Sequence, residues 1–245
     1  MRTLLTLMLL AILPVTAQAF DHSHTVFDEL LGDVVVVNGH QSRVRYDEVT
    51  NQRGNLEAYL EQLSGVSQSE FDQFTPDQQL AFLINTYNAY QLKQVIDHYP
   101  IESIKDVGSF FSSPWSKEFF TLFGEPASLD HVEHGLIRTI FDEPRIHFAV
   151  NCASISCPPL MAEAFVADRL NAQLEAATFN FLQDSAANRL EGDELYLSKI
   201  FNWYADDFKQ GVIPFVAKYR PDWTANGTPE LGYTDYDWNL NIASE

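Results

Sequence analysis

The chain has 245 residues, of which 46% are hydrophobic, and this is enough for one large domain with a sizeable core. Its 15 basic and 34 acidic residues give a formal net charge of −19. Such a charge repels nucleic acid phosphates and anionic membrane surfaces, so the composition predicts no nucleic acid partner.

The first nineteen residues are typical of a secretory signal peptide. Arg2 precedes an apolar run, which is followed by Pro14 and by the small-x-small sequence AQA ending at Ala19. The apolar run is short for a transmembrane helix. The sequence therefore predicts cleavage before Phe20, no membrane insertion of the mature protein, and a periplasmic or secreted location.

Cleavage at this point would make His22 the third residue of the mature chain. A free amine, two amide nitrogens and an imidazole form a square-planar arrangement that suits Cu(II) or Ni(II). A histidine also occurs at the third position by chance, so the sequence leaves copper or nickel binding open here. It predicts no cofactor and no other metal site.

Two regions follow the signal peptide. Residues 20–44 form a predicted N-terminal extension with a hairpin turning around Asn38-Gly39. Residues 45–241 form a predicted single globular domain. This domain is expected to begin with a helix over about residues 47–62, interrupted near Gly54.

The clearest helix signal begins at Thr75. Thr75 is a predicted N-cap, Pro76 suits the first helical position, and Gln78 completes a capping box. The helix is predicted to run to about His98 and to stop before Pro100. Apolar residues point in nearly all directions around it, which is typical of a buried central helix.

The second half of the chain alternates helices with short strands. Hairpins are predicted to turn at Gly124 and Gly192, Ser128 and Ser198 are predicted to cap helices, and residues 145–150 form a predicted buried strand. The predicted fold class is therefore α+β, a helix-rich single domain with a buried central helix and short antiparallel strands and hairpins.

The sequence HFAVNCASISCPPL contains both cysteines, and it favours two kinds of chemistry. In an exported protein, Cys152 and Cys157 suggest a disulfide that closes a six-residue loop. Alternatively, Cys152 is a nucleophile and His147 its base, if the loop turns the thiol toward the imidazole. A metal site made by these three side chains matches no common zinc spacing and ranks last.

A catalytic imidazole is usually oriented by a third side chain, and Asn85, Glu133 and Asp237 are the candidates. We expect Asn85 and Glu133 to lie near the 147–158 loop. Asn85 shares one face of the central helix with Asn88, where the simplest role for a buried amide is to bond the backbone of a packed loop.

Glu133 lies inside the apolar stripe of its predicted helix. A carboxylate in such a position is either paired with a cation or has a raised pKa. Arg138 and Arg145 are the candidate partners for an ion pair.

Five motifs in this order resemble the DUF547 family: LAFLINTYNAYQLKQVIDHYP, SLDHVEHGLIR, DEPRIHFAVNCASISCPPL, IFNWYADDF and YDWNLN. The resemblance covers roughly residues 45–241, and Leu83 departs from it at a position where tryptophan is expected. It implies a shared fold but no established activity. It also implies a shared polar cluster formed by Asn85, Asn88, Glu133, Arg138, His147, Cys152, Ser156, Pro158 and Asp237.

Two functional hypotheses follow from these patterns. The first is a binding or interaction module for an unknown protein or small-molecule partner, with Asn88, Arg138 and Ser156 as candidate binding residues. The second is a thiol-dependent hydrolase or acyl transferase of the cell envelope that uses Cys152 and His147. The enzyme hypothesis requires a free Cys152 within reach of His147, whereas the binding hypothesis predicts a cystine or an inert thiol.

Overall fold

The computed structural model describes residues 19–108 and 112–243. The predicted signal peptide at residues 1–19 lies outside the described residues except for Ala19. Within the described part, helices and short strands alternate, so the predicted helix-rich α+β class is confirmed. None of the helices in these residues combines the length and the apolar character needed to cross a bilayer.

The helices with α geometry are α1 (Thr25–Val34), α2 (Tyr46–Asn51), α3 (Arg53–Gly65), α4 (Gln68–Phe71), α5 (Pro76–Ile96), α6 (Arg138–Ile140), α7 (Leu170–Gln183), α8 (Ile200–Trp203) and α9 (Val212–Tyr219). A π-helix at His131–Ile137 leads into α6. Short 3₁₀ turns lie at Ile104–Val107, Pro144–Phe148, Ala167–Arg169, Ala205–Asp207 and Pro221–Thr224. The strands are β1 (Val35–Asn38), β2 (Gln41–Val44), β3 (Phe120–Leu122), β4 (Glu125–Ala127), β5 (Arg189–Glu191), β6 (Glu194–Leu197) and β7 (Glu230–Tyr233).

Helix α5 is the buried central helix that the sequence predicts. The Thr75 hydroxyl accepts a hydrogen bond from the Gln78 amide, and the Gln78 side chain accepts one from the Thr75 amide, so both halves of the capping box form. Side chains on every face of the helix are buried, including the polar Asn85 and Asn88. The helix therefore has to bond its polar groups inside the protein.

The three predicted hairpins form, but two of them turn one residue away from the predicted position. Strands β1 and β2 are joined by Gly39 and His40, because Asn38 still pairs with Gln41. Strands β3 and β4 are joined by Phe123 and Gly124, both with positive φ, as this tight turn requires. Strand β7 adds to β6 in parallel, so the third sheet is mixed rather than antiparallel throughout.

Two predicted elements differ from the structure near the polar cluster. The helix capped by Ser128 is largely a π-helix, a geometry found frequently at functional sites. The predicted strand over residues 145–150 is wrong, because a 3₁₀ turn occupies Pro144–Phe148. Pro144 has the fixed φ of a first helical residue, and the Glu143 side chain accepts a hydrogen bond from the Arg145 amide.

The predicted early helix is also divided differently. It is interrupted at Gln52, which separates α2 from α3, rather than near Gly54. Helix α1 was not predicted, and it packs against α3 through Phe27, whose ring stacks on Tyr59 with centroids 4.8 Å apart. Just before α1, the Phe20 ring packs edge-on against Phe82.

The buried apolar side chains form two clusters. The larger one surrounds α5, and the smaller one brings together α7, β6, α8 and α9. Phe148 belongs to the smaller cluster and follows directly after His147 in the chain. The 3₁₀ turn that carries His147 is thereby anchored in the protein interior.

Candidate functional site

A cleft of about 160 Å³ opens where six separate segments of the chain meet. The π-helix contributes Glu133, the 3₁₀ turn His147, and the loop after it Cys152 and Cys157. The remaining walls come from α5, α8 and the closing segment around residue 237. Six large aromatic side chains also line the cleft: Tyr87, Trp115, Trp203, Tyr204, Tyr236 and Trp238.

Four of these rings, those of Trp115, Trp203, Tyr236 and Trp238, form a continuous wall. Trp238 lies at its centre, with ring centroids 5.6 Å from Trp115, 5.6 Å from Trp203 and 4.5 Å from Tyr236. Trp203 is 45% exposed, so the wall begins at the protein surface and continues into the cleft. Apolar walls with a few polar groups at the base are typical of small-ligand sites.

His147 is fixed from two sides. Its Nε2 lies 2.6 Å from Asp207 Oδ2, and its ring stacks on Tyr204 with centroids 3.8 Å apart. Burial lowers the pKa of His147 from 6.5 to about 4, although the hydrogen bond to Asp207 acts in the opposite direction. The imidazole is therefore neutral at pH 7, with the proton on Nε2 donated to Asp207 and a lone pair on Nδ1.

Asp207 connects His147 to Arg138. The Arg138 Nε and Nη2 atoms lie 2.6 and 2.9 Å from the two carboxylate oxygens, a bidentate ion pair. Burial raises the pKa of Asp207, but the hydrogen bonds from Arg138 and His147 outweigh burial and hold it below the usual value of 3.8. Asp207 is therefore the ionised group that fixes the imidazole.

Glu133 stands at the base of the cleft, with its side chain 8% exposed. Burial raises its pKa above 4.5, and His134 and the Tyr204 hydroxyl offset only part of that effect. The expected ion pairs with Arg138 and Arg145 are wrong, because Arg138 pairs with Asp207 and Arg145 with Glu143. The raised pKa was the alternative expectation for Glu133, and the structure agrees with it.

The Nδ1 atom of His147 lies 3.8 Å from Glu133 Oε1, which is too long for a hydrogen bond. No group in the described residues bonds this atom, and it is closed to solvent. Among the described residues, the other neighbour of Glu133 at ion-pair distance is His134, whose Nδ1 is 4.0 Å from Oε1. The His134 Nδ1 atom accepts a hydrogen bond from Arg138 Nη1 at 3.2 Å. It therefore does not donate a hydrogen bond to Glu133.

The two cysteine sulfurs lie at disulfide distance, with Cα atoms 6.1 Å apart. The Cys152 amide donates to Cys157 Sγ at 2.8 Å, and Cys152 Sγ lies 3.4 Å from the Tyr236 hydroxyl. Within the described residues, no hydrogen bond joins His147 to either cysteine. The geometry of this loop therefore agrees with the predicted disulfide candidate.

The two amides of α5 brace different segments. Asn88 donates to the Ala149 carbonyl at 2.9 Å and accepts from the Asn151 amide at 2.9 Å, so it holds the loop that joins His147 to Cys152. Asn85 instead bonds both backbone groups of Phe165, at 2.7 and 3.0 Å. Asn85 therefore does not orient the imidazole, because Phe165 uses both ends of its amide.

Ser156 and Asp237 join the cysteine loop to the closing segment. The Asp237 amide donates to Ser156 Oγ at 2.8 Å, and the Ser156 amide donates to the Asp237 carbonyl at 3.2 Å. The Asp237 carboxylate is exposed and accepts from the Asn239 amide. Asp237 therefore does not orient His147; it helps to position the aromatic segment that contains Tyr236 and Trp238. Pro158 lines the cleft, and its carbonyl accepts a hydrogen bond from Asn151.

Sequence reasoning did not identify Asp207, Tyr204 or Tyr236 as site residues. Asp207 and Tyr204 lie in the motif IFNWYADDF, but the motif has two consecutive aspartates and nothing local distinguishes Asp207 from Asp206.

The described residues contain no group of three or more histidine, cysteine, aspartate or glutamate side chains suited to a metal ion.

The cysteine geometry predicts the result of a thiol titration. In unfolded protein that has never been reduced, we expect almost no free thiol, because the two Cα atoms lie within the span of a disulfide and the export predicted from the sequence would place the pair in an oxidising compartment. Two free thiols would contradict this expectation. If one of them also reacted far faster in the native protein, and His147→Ala slowed it, a Cys–His pair would be the better description.

The lowered pKa of His147 predicts how stability depends on pH. Between pH 6.5 and about 4 the unfolded chain binds a proton at this histidine that the folded protein does not bind. The free energy of unfolding should therefore fall as the pH falls through this window, by at most about 1.4 kcal/mol per pH unit for this group.

Urea unfolding of the wild type and of His147→Gln across the same window measures this contribution. The wild type should show the steeper slope, while His24, whose pKa burial also lowers to about 4, should maintain a slope in both proteins. Equal slopes in the two proteins would contradict a buried neutral imidazole at position 147.

Fold and cleft together define a class of protein: a helix-rich α+β domain whose aromatic cleft is bordered by a cysteine pair and by a buried histidine bonded to a half-buried aspartate. Residues 71–182 match the model of the family described as "Protein of unknown function, DUF547". The resemblance to the DUF547 family found in the motifs is therefore confirmed over those residues. No curated protein and no solved structure matches the chain.

The matched segment contains part of the cleft. Glu133, His147 and both cysteines lie inside it, whereas Tyr204, Asp207 and the closing aromatic segment follow it in the chain. The residue that fixes His147 and much of the aromatic wall therefore come from outside the matched segment.

Proposed function

We propose that this protein is an exported domain that binds a ligand in the aromatic cleft. The observation that carries the proposal is Glu133, a buried carboxylate at the base of an open cleft with no lysine or arginine partner in the described residues. A buried ionised group without a partner is costly, so such groups are expected where a ligand or a reaction uses them.

The surroundings of Glu133 favour a ligand with an apolar body. Trp115, Trp203 and Trp238 supply broad apolar faces, and Glu133, His147 and Asp130 supply a few polar groups. The hydrogen bond from His147 to Asp207 and the two hydrogen bonds of Asn88 keep the base of the cleft in one geometry. A preformed site loses less conformational entropy when it binds, which supports recognition rather than a purely structural role.

Export is the second part of the proposal. The charge and apolar pattern of residues 1–19 support a signal peptide, and a cysteine pair at bonding distance suits an oxidising compartment. The intact mass of protein recovered from the cell envelope or the medium should correspond to a chain beginning at Phe20. A main cytoplasmic pool that retains Met1 would contradict export to the periplasm or beyond.

A second candidate is a thiol-dependent hydrolase or acyl transferase. The observation that favours it is that Cys152 and His147 line the same cleft. The cysteine pair would first have to be reduced by an external dithiol, which becomes the disulfide. Cys152 would then give its thiol proton to His147 and attack an acyl carbonyl as the thiolate; the leaving group would depart with that proton, and water or another acceptor would release the acyl group. The pairing of Cys152 with Cys157 makes this the weaker candidate.

The tryptophans offer a direct test of the cleft. Three of the four line it, and the fourth, Trp223, is buried in the smaller apolar cluster. A mixture of small amines, alcohols and monosaccharides should shift the indole N–H signals of Trp115, Trp203 and Trp238 in ¹⁵N–¹H spectra and leave that of Trp223 unchanged. If no compound class shifts the three cleft signals, the proposed binding site is wrong.

A further inference from the structure

We infer that the cleft binds a primary alkylammonium group, with the ammonium at Glu133 and the alkyl chain against the tryptophan faces. The same chemistry occurs in a free alkylamine and in the side chain of a lysine. This inference rests on the proposed binding function and specifies the class of ligand.

The first reason is that no lysine or arginine of the described residues forms an ion pair with Glu133. Arg138 forms its two short carboxylate contacts with Asp207 and not with Glu133. His147, the nearest imidazole, is neutral because burial holds its pKa at about 4. Within the described residues no lysine or arginine contacts the Glu133 carboxylate, so an ammonium brought by a ligand would supply that cation. Such a charge-assisted hydrogen bond is stronger than one made by a neutral donor.

The second reason is that two neighbouring acceptors, the Glu133 carboxylate and His147 Nδ1, lie at the base of the cleft. His147 is 2% exposed, and its Nδ1 carries a lone pair that no group in the described residues bonds. Because His147 Nδ1 is closed to solvent, a ligand would first meet the Glu133 carboxylate. The Nδ1 atom lies 3.8 Å from Glu133 Oε1. An ammonium has three N–H donors, whereas a hydroxyl has one and a quaternary ammonium has none.

The third reason is the charge of the walls. Asp130 also lines the cleft, and burial raises its pKa above the usual value. Two carboxylates near each other favour the approach of a cation and disfavour that of an anion. The aromatic faces attract cations as well. Two cations of the chain itself already use this attraction: Lys105 Nζ lies 4.3 Å from the Trp238 ring centroid, and the Arg138 guanidinium carbon lies 5.1 Å from that of Tyr204.

Calorimetric titration of the mature protein at neutral pH tests the inference with three probes of similar size. Butylammonium should bind, 1-butanol should bind at least about tenfold more weakly, and tetramethylammonium should also bind more weakly, because neither control brings both charge and N–H donors. Nα-acetyl-lysine methylamide and its Nε-acetylated form extend the test to a peptide side chain. Tighter binding of the lysine compound than of butylammonium identifies a lysyl ligand, and equal or weaker binding identifies a free amine.

Glu133→Gln keeps the shape of the side chain and removes its charge, so it should weaken butylammonium binding at least about tenfold. Glu29→Gln, an exposed change on α1, is the control and should have no effect. Asp130→Asn should give a smaller loss of butylammonium affinity. It provides the alternative test if Glu133→Gln does not fold.

The failure of the inference differs from the failure of the proposed function. If butanol or a monosaccharide binds in the cleft as tightly as butylammonium, and Glu133→Gln does not weaken the amine, the site exists but is not an ammonium site. If butylammonium does not bind at all, the inference is overturned, and the tryptophan signals with the other compounds then decide whether the cleft binds a different ligand class.

Discussion

Replacing Phe148 with alanine should lower the free energy of unfolding by about 3–5 kcal/mol, the usual cost of removing a large aromatic side chain from a core. Phe148 is fully buried, and its ring centroid lies 5.3 Å from Phe181 and 5.4 Å from Phe201. The lost side chain would leave a cavity directly beneath the 3₁₀ turn that carries His147, so the cleft should lose order as well as stability.

Phe179→Ala is the matched control for this prediction. Phe179 lies on α7 beside the same apolar cluster but is 52% exposed, so its replacement should change the free energy of unfolding by no more than about 0.5 kcal/mol. Both values can be read from urea unfolding curves. A similar, small loss for the two variants would show that Phe148 does not anchor the turn.

Replacing Asp207 with alanine should cost about 2–3 kcal/mol, because it leaves the Arg138 guanidinium and the His147 Nε2–H without their common acceptor. The loss should depend on pH. The pKa of Asp207 is lowered in the folded protein, so its contribution is present above pH 3.8, the ordinary value, and is lost as the pH falls through the folded pKa. The difference between wild type and variant should therefore be largest near neutral pH and shrink in acid.

The neighbouring Asp206 provides the control. It is exposed and makes no hydrogen bond or ion pair with side chains of the described residues, so Asp206→Ala should stay within about 0.5 kcal/mol of the wild type. If Asp207→Ala is no more destabilising than Asp206→Ala, the carboxylate does not hold Arg138 and His147 in place. Loss of butylammonium affinity in Asp207→Ala alone would further connect the Asp–His pair to the cleft.

The parts of the fold that the sequence predicted are those determined by neighbouring residues. The capping box at Thr75 and the hairpin after Arg189 depend on side chains and turns within a few positions. The 3₁₀ turn that contains His147 was mistaken for a strand because its apolar residues face two different clusters, and a short apolar run does not separate these cases. The π-helix around Glu133 also depends on tertiary packing.

The candidate site was predictable only in its individual residues. Buried polar side chains at Asn88, Glu133 and His147 could be recognised because apolar residues were expected there. Their partners could not, since Asp207 lies 60 residues after His147 and Asn151 lies 63 residues after Asn88. Which carboxylate orients the imidazole is decided by how α8 and its following turn pack on the 3₁₀ turn, and no spacing in the sequence encodes that choice.

A crystal structure of the mature protein with butylammonium bound is the most direct test of the cleft as an ammonium site. The nitrogen should lie within hydrogen-bond distance, about 3 Å, of the Glu133 carboxylate, with the alkyl chain against Trp203 or Trp238 and His147 still bonded to Asp207. An amine bound only outside the cleft would contradict this assignment of the cleft as an ammonium site. An empty cleft in which Glu133 pairs with a lysine or arginine of the protein would contradict it as well.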